Sequence, residues 1–164
     1  MERIHPVYDC RHVQNVPAFS YLLIIPIIIG LSVFFYNLLN GGEKKIIGIV
    51  MGVVFVLFGL TSFLAVISTK ITANEVAMQI YSSGKYKVTA GVVRNYHPAP
   101  AGGHEPETFD VDTVHFEIWD ADLTTPGYTA TAVSGSIIQP NLYVKIAYAK
   151  IYGRNVILRL EAAE

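Results

Sequence analysis

The sequence predicts a membrane α-helical hairpin of two transmembrane helices, joined to a small all-β barrel or rolled sheet of OB-like or SH3-like type. Three observations carry that reading. No Asp, Glu, Lys or Arg occurs between Arg11 and Glu43, and none between Lys45 and Lys70. The turn Asn40-Gly41-Gly42-Glu43-Lys44-Lys45 separates the two apolar runs. From Lys85 onward the apolar period changes to two, the signature of half-buried strands.

Residues 1–17 form a short flank containing Pro6 and Pro17, read as a loosely ordered arm near the lipid headgroups. His5, His12, Asp9 and Cys10 lie in it without a recognised ligand spacing. A lone cysteine cannot form an internal disulfide.

Residues 18–67 are the hairpin. Spans 18–39 and 46–67 hold 22 residues each, and a helix of that length reaches about 33 Å, against a hydrocarbon core of roughly 30 Å. A chain of 164 residues has too little else to wrap two all-apolar helices in a soluble core. The turn is short enough only for an antiparallel pair. Pro26 removes one backbone donor in the first span and predicts a bend there. Gly48, Gly52 and Gly59 put small residues at helical spacing on the second span, which suits close packing against either the first helix or a second copy. Neither span holds an ionisable residue, which argues against transport. An oligomeric pore lined by Ser20, Ser32, Asn37, Thr61 and Ser62, or a mechanical sensor, is an alternative.

Two spans put both termini on one side of the bilayer. Arg3, Arg11, Lys70 and Lys85 flank that side and Lys44 and Lys45 the turn, so the cation bias favours a cytoplasmic β domain. Residues 69–84 read as a linker helix. Thr72-Ala73-Asn74-Glu75 has the capping-box pattern, Val76, Ala77 and Ile80 share a face, and Gly84 marks the stop.

Residues 85–164 are the β domain. Lys87–Tyr96 is a strand. A loop rich in Pro and Gly follows from His97 to Pro106. Glu107–Trp119 is a hairpin turning at Asp112-Thr113, with Phe109 and Val111 opposite Val114, Phe116 and Ile118; a two-residue turn puts Asp110 across from His115. A second long loop runs from Asp120 to Gly135, with a short strand expected at Tyr128–Val133. Leu142–Tyr148 and Val156–Glu161 close the domain.

Several short motifs lie along this half: Ser83-Gly84-Lys85-Tyr86-Lys87, Gly91-Val92-Val93, Asn95-Tyr96-His97-Pro98, Gly103-His104, Glu107-x-Phe109-x-Val111, Phe116, and Ile157-Leu158-Arg159-Leu160-Glu161. Together they resemble an uncharacterised bacterial family of small membrane proteins with a C-terminal OB-like β domain. The chain departs from that pattern at Asp112-Thr113, Trp119-Asp120 and Gln139-Pro140-Asn141. A looser similarity of layout is to NfeD-like proteins, which pair membrane helices with an OB-type domain and work beside other membrane proteins. The resemblance implies fold and attachment to a bacterial inner membrane, not a reaction.

Charge excludes a broad nucleic-acid surface. Residues 85–164 hold seven Lys/Arg against nine Asp/Glu, where phosphate binding needs a cation excess. No phosphate loop, no G-x-S-x-G elbow and no paired cysteines occur, so no catalytic, cofactor or metal residue is assigned. The two long loops supply the candidate contact residues of a non-enzymatic scaffold: His97, His104, Glu105, Asp120, Asp122 and Tyr128. Their partner would be another protein or a second copy of the chain. If the histidines and carboxylates converged, with Glu107 among them, they would instead suit metal-assisted hydrolysis.

Overall fold

The computed structural model describes residues 4–12, 18–102, 105–119, 122 and 124–163, with the side chains of 18–20 excepted. The chain forms two compact units, one of Asn15–Thr69 and one of Met1–Gln14 with Lys70–Glu164.

The first unit is helical. A 3-10 segment, Ala18–Leu23, leads into α1, Ile24–Asn40. The change of helix type absorbs Pro26. It sits in the first turn of α1, just past the 3-10 segment. Helix α1 ends at Gly41, whose amide donates to the Asn37 carbonyl at 3.0 Å. Helix α2 then begins at Lys45. Both helices are long and apolar enough to cross a membrane, and they leave Ile28, Phe35, Leu39, Ile46 and Phe58 among the exposed side chains. Their contact is made by glycine. A Cβ on Gly52 would meet the Gly30 carbonyl oxygen at 2.8 Å, one on Gly59 would meet Ile27 Cγ1 at 2.6 Å, and one on Gly48 would collide with the Asn37 amide. The small residues therefore face α1 of the same hairpin.

Helix α2 runs without interruption from Lys45 to Ser82, so residues 69–84 are not a separate linker helix. A capping box stabilises an end only where the preceding chain leaves the helix. Ile67-Ser68-Thr69-Lys70-Ile71 contains no Gly or Pro, and the Ser68 and Thr69 hydroxyls both donate to the Ala65 carbonyl at 2.9 Å. Within the sheet unit, Ala73, Asn74 and Ala77 are buried at helical spacing.

Six antiparallel strands form one sheet in the order β1-β6-β5-β2-β3-β4. They are β1 Ile4–Asp9, β2 Lys87–His97, β3 Glu107–Val111, β4 Val114–Ile118, β5 Tyr143–Ile151 and β6 Arg154–Ala163. The sheet is open, with β1 and β4 at its edges; of the small barrel or rolled sheet that the sequence suggests, the closed barrel is not formed. The side chain of Asn155 near the start of β6 donates to the His115 carbonyl of β4 at 2.8 Å, without a ladder between these strands. The core is built from Val93, Phe109, Val111, Phe116, Val144, Ile146, Leu158 and Leu160. Phe109 stacks on Phe116 at 5.3 Å between ring centres.

The hairpin of β3 and β4 has Asp110 opposite His115, with Asp112 and Thr113 between the strands and Asp112 at φ 56°. Two other regions differ from expectation. The N-terminal arm is an edge strand, with Pro6 opposite Glu161 and a register shift between Pro6 and Tyr8. Residues 128–133 hold no strand. They belong to an irregular strap with one 3-10 turn, Ala132–Ser134, capped by reciprocal Thr131 and Ser134 bonds.

Candidate functional site

Among the described residues, the loop side chains singled out above are not brought together as a group of His and carboxylates. His104 and Asp120 lie outside the described residues. His97 and Glu105 are exposed, and the His97 imidazole sits 2.9 Å from the Asn95 carbonyl. Asp122 is an internal knot. Its carboxylate accepts from the amides of Thr124 and Thr125 at 2.9 and 3.1 Å, from their hydroxyls at 2.7 and 2.6 Å, and from Arg154 Nη1 at 3.2 Å. Burial pushes its pKa up, but the Thr125 and Thr124 bonds outweigh burial and hold it down at about 2. Tyr128 is turned inward: its ring meets Tyr8 edge-on at 5.3 Å, and its hydroxyl donates to Ser136 Oγ at 3.1 Å. Among the described residues, no three His, Cys, Asp or Glu side chains come together as a metal site. Convergence was the condition for the hydrolytic reading, and the described side chains do not meet it.

Asp110 and His115 form an exposed pair at 2.6 Å, and Asn95 Nδ2 donates to the other carboxylate oxygen at 2.6 Å. These bonds, the Asn95 amide foremost, lower the Asp110 pKa. Three polar side chains of the hairpin unit are bonded locally. Ser32, Asn37 and Thr61 each donate to a carbonyl one turn back in their own helix, at 2.8 Å.

A concave feature that joins aromatic and charged groups is a groove of about 100 Å³ on the outer face of the sheet. Its floor is a row across three strands. Val88 of β2 is the register partner of Ala147 of β5, which in turn pairs with Arg159 of β6. Lys145 and Glu161 pair in the next row. The wall is a tyrosine stack. Helix α2 stops at Ser82, Gly84 adopts φ 68°, and its amide returns to the Tyr81 carbonyl at 3.2 Å. That reversal lays Tyr86 against Tyr81 with ring centres 4.9 Å apart and planes 7° from parallel. A left-handed glycine just beyond the helix makes so tight a return possible.

The charges of the groove are tied to one another. Glu161 accepts from Arg159 Nη2 at 2.6 Å and lies 3.7 Å from Lys145 Nζ. Arg159 Nη1 donates to the Tyr81 hydroxyl at 3.5 Å. The Arg11 guanidinium lies 5.2 Å from the centre of the Tyr81 ring, within cation–π range. It also grips Asp9 at 2.6 Å and holds that carboxyl at about 2. Val88 is 55% exposed at the floor.

No family model, curated protein or solved structure matches this chain. The groove is therefore read on its chemistry alone. Its lining holds no Ser, Thr, Cys or His. It offers an aromatic wall, an apolar floor and two cations around one carboxylate. Sequence reasoning missed it because its members come from four elements. The alternation in Val144-Lys145-Ile146, with Lys145 outward, was its only local trace.

Proposed function

We propose that the protein is a membrane-anchored, non-enzymatic binding module. The helical hairpin holds it in the bilayer, and the sheet unit presents a contact surface to another protein or to a second copy of the chain. The observation that carries this reading is the groove: stacked Tyr81 and Tyr86 beside the Arg159–Glu161–Lys145 triad, with Val88 bare at the floor. Aromatic and arginine side chains are enriched where protein interfaces draw their energy. The exposed loop from His97 supplies a second, polar contact region. The setting proposed is a bacterial inner membrane with the sheet unit in the cytoplasm, supported by the cation bias of the flanks.

The test is photo-crosslinking in intact membranes, with a photo-reactive residue at Val88 and a control at Tyr152, which is 79% exposed. A discrete adduct from Val88, missing from the control and lost with Arg159→Glu, is the expected result. Adducts shared by both positions, or unchanged by Arg159→Glu, reject the groove as the contact surface.

A further inference from the structure

Strands β1 and β6 lie on opposite sides of the hairpin in sequence and side by side in the sheet. Ile4 pairs with Ala163, Tyr8 with Leu160 and Asp9 with Arg159. The contact continues past the strand, where the Cys10 amide donates to the Leu158 carbonyl at 3.0 Å. Tyr8 and Cys10 are buried in the core cluster. Residues that precede both apolar helices thus complete a core built by residues that follow them.

We infer that β1 is a topology lock. The sheet is completed only when the segment between Cys10 and Lys70 crosses the bilayer an even number of times. The inference rests on the membrane reading above. A single crossing would put β1 and β6 in different compartments. It would strip β6 of its outer ladder and take Tyr8 and Cys10 out of the core. Cleavage ahead of α1 would likewise remove a strand of the folded unit. The unit that folds is then 1–14 together with 70–164, and residues 85–164 alone are an incomplete sheet.

The experiment uses the full chain in sealed, uniformly oriented membrane vesicles, in a Cys10→Ala background. Single cysteines replace Val7 in β1 or Lys150 in β5, both exposed, and a membrane-impermeant thiol reagent is applied from each side. Both positions should react from the same side. The double variant Ile4→Cys with Ala163→Cys should form, on oxidation, a disulfide within the monomer that reductant reverses. Labelling of Val7→Cys and Lys150→Cys from opposite sides, or a disulfide recovered only as a dimer, overturns the lock. Alkaline carbonate extraction runs alongside. Release of the chain overturns the membrane reading and the lock with it, whereas retention with opposite-side labelling overturns the lock alone.

Discussion

The buried carboxylate of Glu107 accepts a 2.6 Å hydrogen bond from the amide of Ala132, 25 residues further along the chain. The same carboxylate oxygen accepts from the Tyr96 hydroxyl at 3.3 Å. Burial, then the nearby Glu107 charge, push the Tyr96 phenol up to about 12. One side chain at the start of β3 thereby fastens the 3-10 turn of the strap to the sheet. Removing it takes the acceptor from the Ala132 amide and the Tyr96 phenol together. Glu107→Ala should cost about 1–3 kcal/mol, read as a lower unfolding midpoint in mild detergent. Faster hydrogen exchange should be concentrated at 131–136. An exchange pattern unchanged in the strap would show that other contacts hold it.

Asp122 carries a pH dependence with a definite sign. Its folded pKa of about 2 lies below the ordinary aspartate value near 3.9. The carboxylate therefore adds stability above the unfolded value, and that stability is lost as pH falls through the folded one. Asp122→Asn should be less stable than the parent at neutral pH, and the gap should close between about pH 4 and pH 2. Thermal unfolding across that range measures it, and a constant gap would count against the knot.

The hairpin glycines differ sharply in what they tolerate. A Cβ on Gly52 would press on the Gly30 carbonyl and the Phe34 backbone at 2.8 Å, whereas one on Gly42 meets nothing within 4 Å. Gly52→Val should destabilise the unit by about 1–3 kcal/mol through overpacking, and Gly42→Ala should be near neutral. Heat-induced aggregation in detergent separates the two.

The turn between β5 and β6 stores backbone strain. Tyr152 sits at φ 50° ahead of Gly153 at φ 84°, and the tyrosine ring is exposed. Tyr152→Asn keeps the left-handed conformation in a residue that accepts it, and should raise stability by about 0.5–1 kcal/mol. A lower unfolding midpoint would show that the ring makes a contact worth more than the strain.

Features whose partners lie close in sequence were readable beforehand. The β3–β4 hairpin follows from the alternation of Phe109, Val111, Val114, Phe116 and Ile118 around a two-residue turn. The apolar runs follow from the absence of charge alone. Strand β1 was not readable. Pro6 argues against a strand wherever its amide is needed, and only an edge, with β6 more than 140 residues away, makes it acceptable. The Thr72 capping box misled because its pattern is local while helix continuity depends on the turns before it. A long polar loop normally lies at the surface, and that expectation extends to Tyr128 and Asp122. Here the loop folds inward: the Tyr128 amide donates to the Ile157 carbonyl at 3.0 Å. The groove was illegible for the same reason as β1, since register across β2, β5 and β6 assembles it.

The two sheet edges have a consequence if the chain is held in a bilayer, as proposed above. Proteins held in two dimensions meet repeatedly in similar orientations, and an open run of backbone donors and acceptors would invite strand-by-strand growth from one molecule to the next. On β1, Pro6 offers no donor and the shift beside it breaks the repeat. On β4, the His115 carbonyl is already occupied by Asn155. Each edge thus carries a local feature that works against strand-by-strand growth.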